Sequence, residues 1–310
     1  MVAPFRFAVQ LSNAPSGPAW RDRARKVEGL GYSTLYVPDH LDDQWAPMIA
    51  MTVAAEATTT LRVGSLVLDN DFRHPVVLAK EAATLDLVSE GRLELGMGAG
   101  WMRTDYETSG IVMDPPSVRI ARLAESLQIM GDLWASGRAT LDGTHYRVNA
   151  ASGTPTPHTR PRPCLVIGGG GRRILTLAAE QADIVSIIPS LAAGYIGPEM
   201  AASAVQEKFH ERVRWVREAA GARFGELELQ NWTVAVQVVA NAPEVLAQMA
   251  PLFNLTTEQL AAVPLALIGT EDELVETLQR RREEYGFSYI VVHEPELEAF
   301  APVVARLAGT

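Results

Sequence analysis

The sequence predicts an α/β fold of the (β/α)8 TIM-barrel class. Short β-branched segments alternate with longer amphipathic ones, eight such strand–helix units can be counted, and 310 residues are enough for one barrel. A doubly wound sheet is the alternative. It is disfavoured because eight units exceed its usual number and because the glycine-rich turn follows the fifth strand instead of the first. We therefore expect a single barrel domain over residues 1–310.

Each unit contributes one strand and one helix. The predicted strands cover residues 5–10, 34–37, 62–68, 93–98, 164–167, 184–188, 228–239 and 289–292. The predicted helices cover residues 20–30, 47–58, 75–89, 118–135, 172–181, 198–220, 271–285 and 297–307. Pro47 and Pro75 suit the first turn of a helix, and Gly31 and Gly286 suit the position just after a helix end.

Two stretches do not belong to a minimal barrel. Residues 139–149 alternate in polarity around Asp142-Gly143, which predicts a hairpin after the fourth helix. Residues 242–264 follow the seventh strand and predict an inserted helical lid. The apolar side chains of this lid either line a substrate pocket or pack onto the barrel or a partner subunit; they are Met249, Leu252, Phe253 and Leu255.

Composition excludes several classes of function. A net charge of −10 and a pI near 5.2 disfavour binding to nucleic acid or to an anionic membrane. The apolar runs are too short to span a bilayer, and the first residues lack a signal-peptide pattern, so we expect a soluble cytoplasmic protein. The single cysteine, Cys164, excludes an internal disulfide. No metal site is predicted, because no second histidine lies at a ligand spacing from His40.

Polar and glycine-rich loops follow four of the predicted strands. They read PDHLDDQW after the second strand, DNDFRHP after the third, GAGWMRTDYE after the fourth and GGGG after the fifth. The carboxyl ends of barrel strands meet at one face, where loops carry binding and catalytic residues. The sequence therefore predicts a functional site at this face.

The run CLVIGGGGRRIL places four glycines between a strand and a helix. Bare backbone at a helix start favours an anion, so Gly168, Gly169, Gly170 and Gly171 predict a phosphate pocket, with Arg172 adding positive charge. The alternative is an ordinary turn whose glycines supply positive φ angles.

Four motifs occur in the order and spacing of a known family: LYVPDHL, GRLELGMGAGW, RIARLAESLQIMGDLW and PCLVIGGGGRRILTLAAEQAD. Taken together, they resemble the luciferase-like flavin and deazaflavin oxidoreductases, most closely the branch that depends on coenzyme F420. The resemblance implies a TIM barrel with F420, or alternatively FMN, across its C-terminal face. It also implies a small organic substrate and a homodimer.

The resemblance also assigns residues. It places Asp39 and His40 beside the cofactor ring, with His40 assisting proton transfer, a role that suits an imidazole near neutral pH. It places a bulge with a non-proline cis peptide at Leu66, Val67 and Leu68, for which an ordinary buried strand end is the alternative. The remaining cofactor contacts that it implies are Asp69, Asn70, Gly98, Ala99, Gly100 and Trp101. Without the resemblance, packing of His40 and a core position for Trp101 are the alternatives.

Two departures from the motifs of the family limit the activities that the resemblance predicts. Relatives that oxidise sugar phosphates carry a catalytic glutamate directly after the second glycine of the GAG turn, where this chain has Trp101. Long-chain monooxygenases often read Gly-Trp-Asn-x-x-Glu-Tyr, whereas this chain has Met102 for the asparagine and Asp105 for the glutamate. Hydride transfer between F420 and an organic substrate is therefore favoured. An FMN-dependent monooxygenase and a non-catalytic flavin-binding barrel are the alternatives.

Overall fold

The computed structural model describes residues 3–195 and 197–310. Its strands are β1 (Arg6–Gln10), β2 (Thr34–Val37), β3 (Arg62–Ser65), β4 (Leu68–Asp69), β5 (Leu93–Gly98), β6 (Arg138–Asp142), β7 (Arg147–Ser152), β8 (Cys164–Gly169), β9 (Ile184–Ile187), β10 (Glu228–Trp232), β11 (Ala235–Val238), β12 (Ala266–Gly269) and β13 (Phe287–His293).

Eight of these strands form a closed parallel barrel. Their order around the barrel is β1, β2, β3, β5, β8, β9, β10 and β13, and pairing of β3 with β5 and of β1 with β13 closes the ring. All eight predicted strand positions belong to it, so the predicted TIM barrel is confirmed. In this order β2 lies diametrically opposite β9, which decides which loops face each other across the mouth of the barrel.

The helices cover the outside of the barrel and follow its strands. They are α1 (Gly17–Gly29), α2 (Pro47–Ala57), α3 (Pro75–Val88), α4 (Arg103–Ser109), α5 (Pro116–Ser136), α6 (Arg172–Gln181), α7 (Pro198–Ala202), α8 (Gln206–Ala220), α9 (Ala242–Met249), α10 (Thr257–Ala262), α11 (Glu271–Tyr285) and α12 (Ala301–Leu307). Pro47 and Pro75 begin α2 and α3, and Gly286 ends α11 with φ of +84°, as the sequence predicts.

The strand predicted for residues 228–239 is wrong as a single element. β10 ends at Trp232, and the Thr233 N–H still bonds the Val291 carbonyl at 3.1 Å. The Val234 N–H then bonds the Leu265 carbonyl at 2.8 Å, and the chain continues as β11, paired with β12 outside the barrel. Residues 228–239 contain no glycine or proline to mark this break, and β12, the second partner, was not among the predicted strands. The helix predicted for residues 198–220 likewise divides into α7 and α8.

Both insertions are present. β6 and β7 pair as the predicted antiparallel hairpin, and residues 242–264 form α9, a 3-10 turn over Ala250–Phe253, and α10. Met249, Phe253 and Leu255 pack against the hydrophobic core, whereas Leu252 is 80% exposed. None of the four lines the cavity at the barrel mouth, and α9 and α10 pack against β12 outside the barrel; a contact of these residues with a partner subunit stays a prediction.

A charged layer closes the N-terminal end of the barrel interior. The fully buried Glu94 carboxylate accepts hydrogen bonds from Arg62 at 2.7 Å and from the Tyr289 hydroxyl at 2.9 Å, and also from Arg6 and Tyr36. Burial alone would raise the pKa of Glu94, but the two guanidinium groups lower it below its ordinary value. This layer seals the base, so access to the interior is from the C-terminal face.

Candidate active site

A cavity of about 250 Å³ opens at the carboxyl ends of the barrel strands. Most of the residues that the sequence predicts for the site line it: His40, Leu66, Val67 and residues 98–101 and 168–171. Asp39, Asp69, Asn70 and Arg172 do not line it. The structure thus brings together the loops after β2, β3, β5 and β8, as expected of the functional face of a barrel.

His40 is held by Asp105 at the rim of the cavity. Its Nδ1 lies 2.7 Å from Asp105 Oδ2, and the Leu41 N–H donates to Asp105 Oδ1 at 3.1 Å. The rings of His40 and Trp101 are perpendicular to each other, with a centroid distance of 5.5 Å. Because Nδ1 is engaged, Nε2 is the nitrogen available to a ligand.

The hydrogen-bond partners of Asp39 differ from those of the adjacent His40. Its Oδ1 accepts from Arg73 at 2.9 Å, its Oδ2 also contacts Arg73, and Oδ2 accepts from the Asp69 N–H at 2.9 Å. These bonds tie the loop after β2 to the loop after β3. The carboxylate that orients His40 is therefore Asp105, and a catalytic role for Asp39 stays a prediction.

A bulge between β3 and β4 forms the floor of the cavity. A cis peptide bond joins Leu66 to Val67, at the position that the resemblance implies. The Val67 side chain lies over the inner face of β5, where a Cβ at Gly98 would lie 2.6 Å from Val67 Cγ2. A Cβ at Gly96 would lie 1.9 Å from the Ser65 carbonyl oxygen. These two glycines therefore give the bulge its space.

The turn after β5 depends on a third glycine. Gly100 has φ of +73°, and a Cβ there would lie 1.9 Å from the Tyr106 hydroxyl and 2.3 Å from Asp69 Oδ2. Arg119 of α5 donates to the Ala99 carbonyl at 2.8 Å and also to the Gly100 carbonyl. The turn is thus fixed from both sides, and Ala99, Gly100 and Trp101 form one wall of the cavity.

Asp69 and Asn70 lie beneath this wall instead of facing the cavity. Asp69 accepts from the Tyr106 hydroxyl at 2.9 Å, and Asn70 donates to the Tyr146 hydroxyl at 3.3 Å. Burial and the neighbouring Asp71 carboxylate raise the pKa of Asp69 to about 6. Direct cofactor contacts by these two side chains stay a prediction, and their visible role is to support the wall.

The four glycines of residues 168–171, called the glycine run below, have different functions. A Cβ at Gly169 would lie 2.4 Å from Ile174 Cγ2, and one at Gly170 would lie 2.2 Å from the Pro189 carbonyl oxygen. A Cβ at Gly168 would meet only ordinary contacts, and Gly171 has nothing within 4 Å. None of the four has a positive φ angle. The ordinary-turn alternative is therefore wrong: two glycines allow close packing, and the other two leave space in the cavity.

Helix α6 begins directly after the glycine run. Gly171 occupies its N-cap position, so no side chain caps the first-turn N–H groups. Arg172, predicted to bind the cofactor, points outward: its side chain is 70% exposed and lies 3.8 Å from Glu218. An anion at this helix start would meet backbone N–H groups and the positive end of the helix dipole.

Sequence reasoning missed five polar or aromatic residues that line the cavity: Gln10, Arg119, Ser186, Ser190 and Trp232. Trp232 donates from its indole nitrogen to Gln10 Oε1 at 2.9 Å. Ser186 is 1% exposed, and its hydroxyl has no hydrogen-bond partner within the described residues. Strand parity was a usable signal, because Ser186 interrupts the apolar run IVSII on the same face as Ile184 and Ile188.

The arrangement suits proton transfer at one edge of an apolar slot. His40 and Ser186 belong to opposite walls, since β2 and β9 lie across the barrel from each other.

Across residues 3–195 and 197–310, no group of histidine, cysteine, aspartate or glutamate side chains could hold a metal ion. The same part of the chain contains no helix that is long and apolar enough to cross a membrane.

Known proteins with similar sequences or folds place the chain in a family. The family model described as luciferase-like monooxygenase matches residues 1–253. An F420-dependent glucose-6-phosphate dehydrogenase of Microbacterium testaceum is 33% identical over 194 residues, which are 59% of this chain and 56% of that protein. The chain thus spans little more than half the length of this relative.

Solved structures agree on the fold. The F420-dependent tetrahydromethanopterin reductase of Methanopyrus kandleri has a TM-score of 0.76 and 18% identity, with 99% of each chain covered. A long-chain alkane monooxygenase has a TM-score of 0.77 and 13% identity, with 99% of this chain and 92% of that chain covered. The match of the family model over residues 1–253 shows that the chain belongs to the luciferase-like monooxygenase family.

Proposed function

We propose that the cavity binds coenzyme F420 and that the protein transfers a hydride between F420 and a small organic substrate. The observation that carries this proposal is the His40 imidazole, fixed by Asp105 at the rim of an apolar cavity beside the Leu66–Val67 bulge. The F420 dependence named for the Microbacterium relative supports the choice of cofactor.

The residues present fit a planar deazaflavin with a phosphate-bearing side chain. Val67 below and Trp101 at the wall offer apolar surface for a ring. The unpartnered Ser186 hydroxyl offers a hydrogen bond to a polar ring edge within the buried part of the cavity. Gly171 leaves open space beside the uncapped start of α6, where the backbone can hold a phosphate.

The chain's own residues supply binding and proton transfer. When bound, F420 donates or accepts the hydride. With Nδ1–H donated to Asp105, a neutral His40 carries a free Nε2 lone pair and can take the proton of an alcohol. In the opposite direction the hydride adds to the carbon of a C=O or C=N bond, and the imidazolium donates a proton from Nε2 to the oxygen or nitrogen of that bond. Asp105 stabilises that imidazolium through the same hydrogen bond.

We further propose that the substrate is a ketone, enone or imine without a phosphate group. Trp101 stands where the resemblance expects the glutamate of sugar-phosphate dehydrogenases, and an indole cannot transfer protons as a carboxylate does. Trp101 and Ile188 give the cavity apolar walls suited to such a substrate. A homodimer and a cytoplasmic location stay predictions, and light scattering on the purified protein tests the first.

The proposal is tested by following oxidation of reduced F420 by a panel of ketones, enones and imines. We expect turnover with at least one member, and a loss of roughly 100-fold or more in His40→Ala, the usual size of a lost acid–base group. Reduced FMN with oxygen is the parallel assay. Oxygen insertion in that assay, without oxidation of reduced F420 in the first, would show that the protein is a monooxygenase.

A further inference from the structure

Arg212 of α8 is a buried cation behind the glycine run. It is 3% exposed; its Nε donates to the Gly170 carbonyl at 2.9 Å and its Nη1 donates to the Ser203 carbonyl at 2.8 Å. It has no salt bridge in the described part of the chain, and the adjacent Glu211 pairs instead with Lys208 at 2.9 Å. Burial lowers the pKa of Arg212 to about 10, so it is charged at neutral pH. A buried charge without a counter-ion is costly unless a ligand supplies one.

The contact with Arg212 also sets the direction of a backbone N–H group. The Gly170 carbonyl and the Gly171 N–H belong to one trans peptide unit, so they point in opposite directions. Because Arg212 draws the carbonyl toward α8, the N–H points away from α8, and both glycines line the cavity on that side. Within residues 3–195 and 197–310, no acceptor bonds the Gly171 N–H.

We propose that Arg212 is a positioning residue for the phosphate of the cofactor, acting through the Gly170–Gly171 peptide and contributing the buried positive charge behind it. This inference rests on the proposed function, because the phosphate is that of F420. The side chain itself does not reach the ligand. It fixes the N–H that does, and it offsets the negative charge of a phosphate in a protein whose net charge is −10.

Arg281 of α11 provides a matched control. It is 2% exposed, it donates to the Val263 carbonyl at 2.8 Å and to the Pro264 carbonyl at 3.2 Å, and burial lowers its pKa to about 10 as well. It binds the last residues of the helical insertion from α11 and does not line the cavity. Replacement of Arg281 therefore reports what loss of a buried, carbonyl-bound arginine does to stability alone.

The test compares two ligands on purified full-length protein by fluorescence titration: F420, and the same deazaflavin with its ribityl chain but without the phosphate. We expect Arg212→Met to weaken F420 binding roughly 10-fold or more while it changes the affinity for the phosphate-free ligand less than about 2-fold. Arg281→Met should change both affinities by the same factor. Equal weakening of both ligands in Arg212→Met, or unchanged F420 affinity, would overturn the inference.

A second variant and a second probe keep the two proposals separable. Arg212→Lys keeps the charge but loses the simultaneous bonds to the Gly170 and Ser203 carbonyls, so we expect a smaller but still selective loss of F420 affinity. This variant provides the test if Arg212→Met does not fold. Inorganic phosphate, compared with chloride at equal ionic strength, should raise the Tm of the wild type, raise that of Arg212→Lys by less, and leave that of Arg212→Met unchanged. If wild type binds no F420 yet shows this phosphate effect, the proposed function fails, and of the inference only the support of a phosphate site by Arg212 remains. If neither is seen, both fail.

Discussion

The Asp105 carboxylate lies 2.7 Å from His40 Nδ1 and so joins the loop after β2 to helix α4. The two residues are 65 positions apart in sequence, and the pair forms only because the barrel brings the ends of β2 and β5 to one face. The bond fixes which imidazole nitrogen faces the cavity. In the sequence, Asp105 is notable only because it stands where the monooxygenase motif has a glutamate. Its bond to His40 makes it part of the proposed proton-transfer site.

Replacing Asp105 by asparagine should lower turnover more than it lowers cofactor affinity. An amide cannot stabilise an imidazolium as a carboxylate does, so we expect a loss of roughly 10–100-fold in kcat with Kd for F420 nearly unchanged. Asp42→Asn is the control, because Asp42 is exposed in the same loop. Steady-state kinetics that show a larger loss in Asp39→Asn than in Asp105→Asn would return the orienting role to Asp39.

Gly171→Asp should separate binding from folding. The site is open and its φ of −100° suits any residue, and aspartate is a favoured N-cap, so stability should stay equal or rise by about a few tenths of a kcal/mol. The same carboxylate would occupy the free N–H groups of α6 and repel a phosphate, so F420 affinity should fall roughly 10-fold or more.

Gly170→Ala, at the neighbouring position, should lower the stability of the protein. Its Cβ would lie 2.2 Å from the Pro189 carbonyl oxygen, and the clash should cost about 1–3 kcal/mol of stability. Denaturant unfolding and fluorescence titration of both variants test the pair. If the Gly171→Asp protein binds F420 as tightly as wild type does, the glycine run is not the phosphate site.

Gly100→Ala should destabilise the protein more than Gly110→Ala. Both glycines have positive φ, of +73° and +75°, so each substitution carries a conformational cost of about 1 kcal/mol. A Cβ at Gly110 meets nothing within 4 Å, whereas one at Gly100 would meet Tyr106 and Asp69. We expect a further loss of about 1–3 kcal/mol for Gly100→Ala in urea unfolding. Equal losses would mean that the wall of the cavity is loosely packed.

The Asp69 carboxyl should make stability depend on pH. Its pKa is raised from 3.8 to about 6, so the folded state binds the proton more tightly than the unfolded chain does between these values. Stability from this group is therefore present at low pH and lost as pH rises through about 6, by at most about 3 kcal/mol. Asp69→Asn should reduce that loss when unfolding is compared at pH 5 and pH 7.5. The same pH dependence in wild type and variant would contradict the burial of an ionised Asp69.

Prediction from the sequence was correct where a residue type or a periodic pattern determines local backbone conformation. Helix starts at Pro47 and Pro75 and the end at Gly286 follow from backbone conformation, and the parallel strands follow from periodicity. The division of residues 228–239 could not be predicted, because it depends on hydrogen bonds from Val234 to the distant Leu265. Strand parity could have found Ser186, but not whether its hydroxyl has a partner.

The glycine run shows the same limit within four residues. Their composition predicts close approach of something to the backbone, and the structure shows such an approach at Gly169 and Gly170; for Gly168 and Gly171 it stays a prediction. All four line the cavity, and only the structure distinguishes Gly169 and Gly170, which the protein's own Ile174 and Pro189 approach, from Gly168 and Gly171, where a side chain would meet no close contact. Likewise, the resemblance named Asp39 together with His40, whereas the carboxylate that bonds His40 in the fold is Asp105.

The most direct test of the account is an equilibrium titration of the purified wild-type protein with F420 and, separately, with FMN, followed by fluorescence. The account predicts that F420 binds with a Kd in the low micromolar range or tighter, about −8 kcal/mol, and that FMN binds more weakly. Tighter binding of FMN than of F420 would contradict the central claim that this cavity is a deazaflavin site.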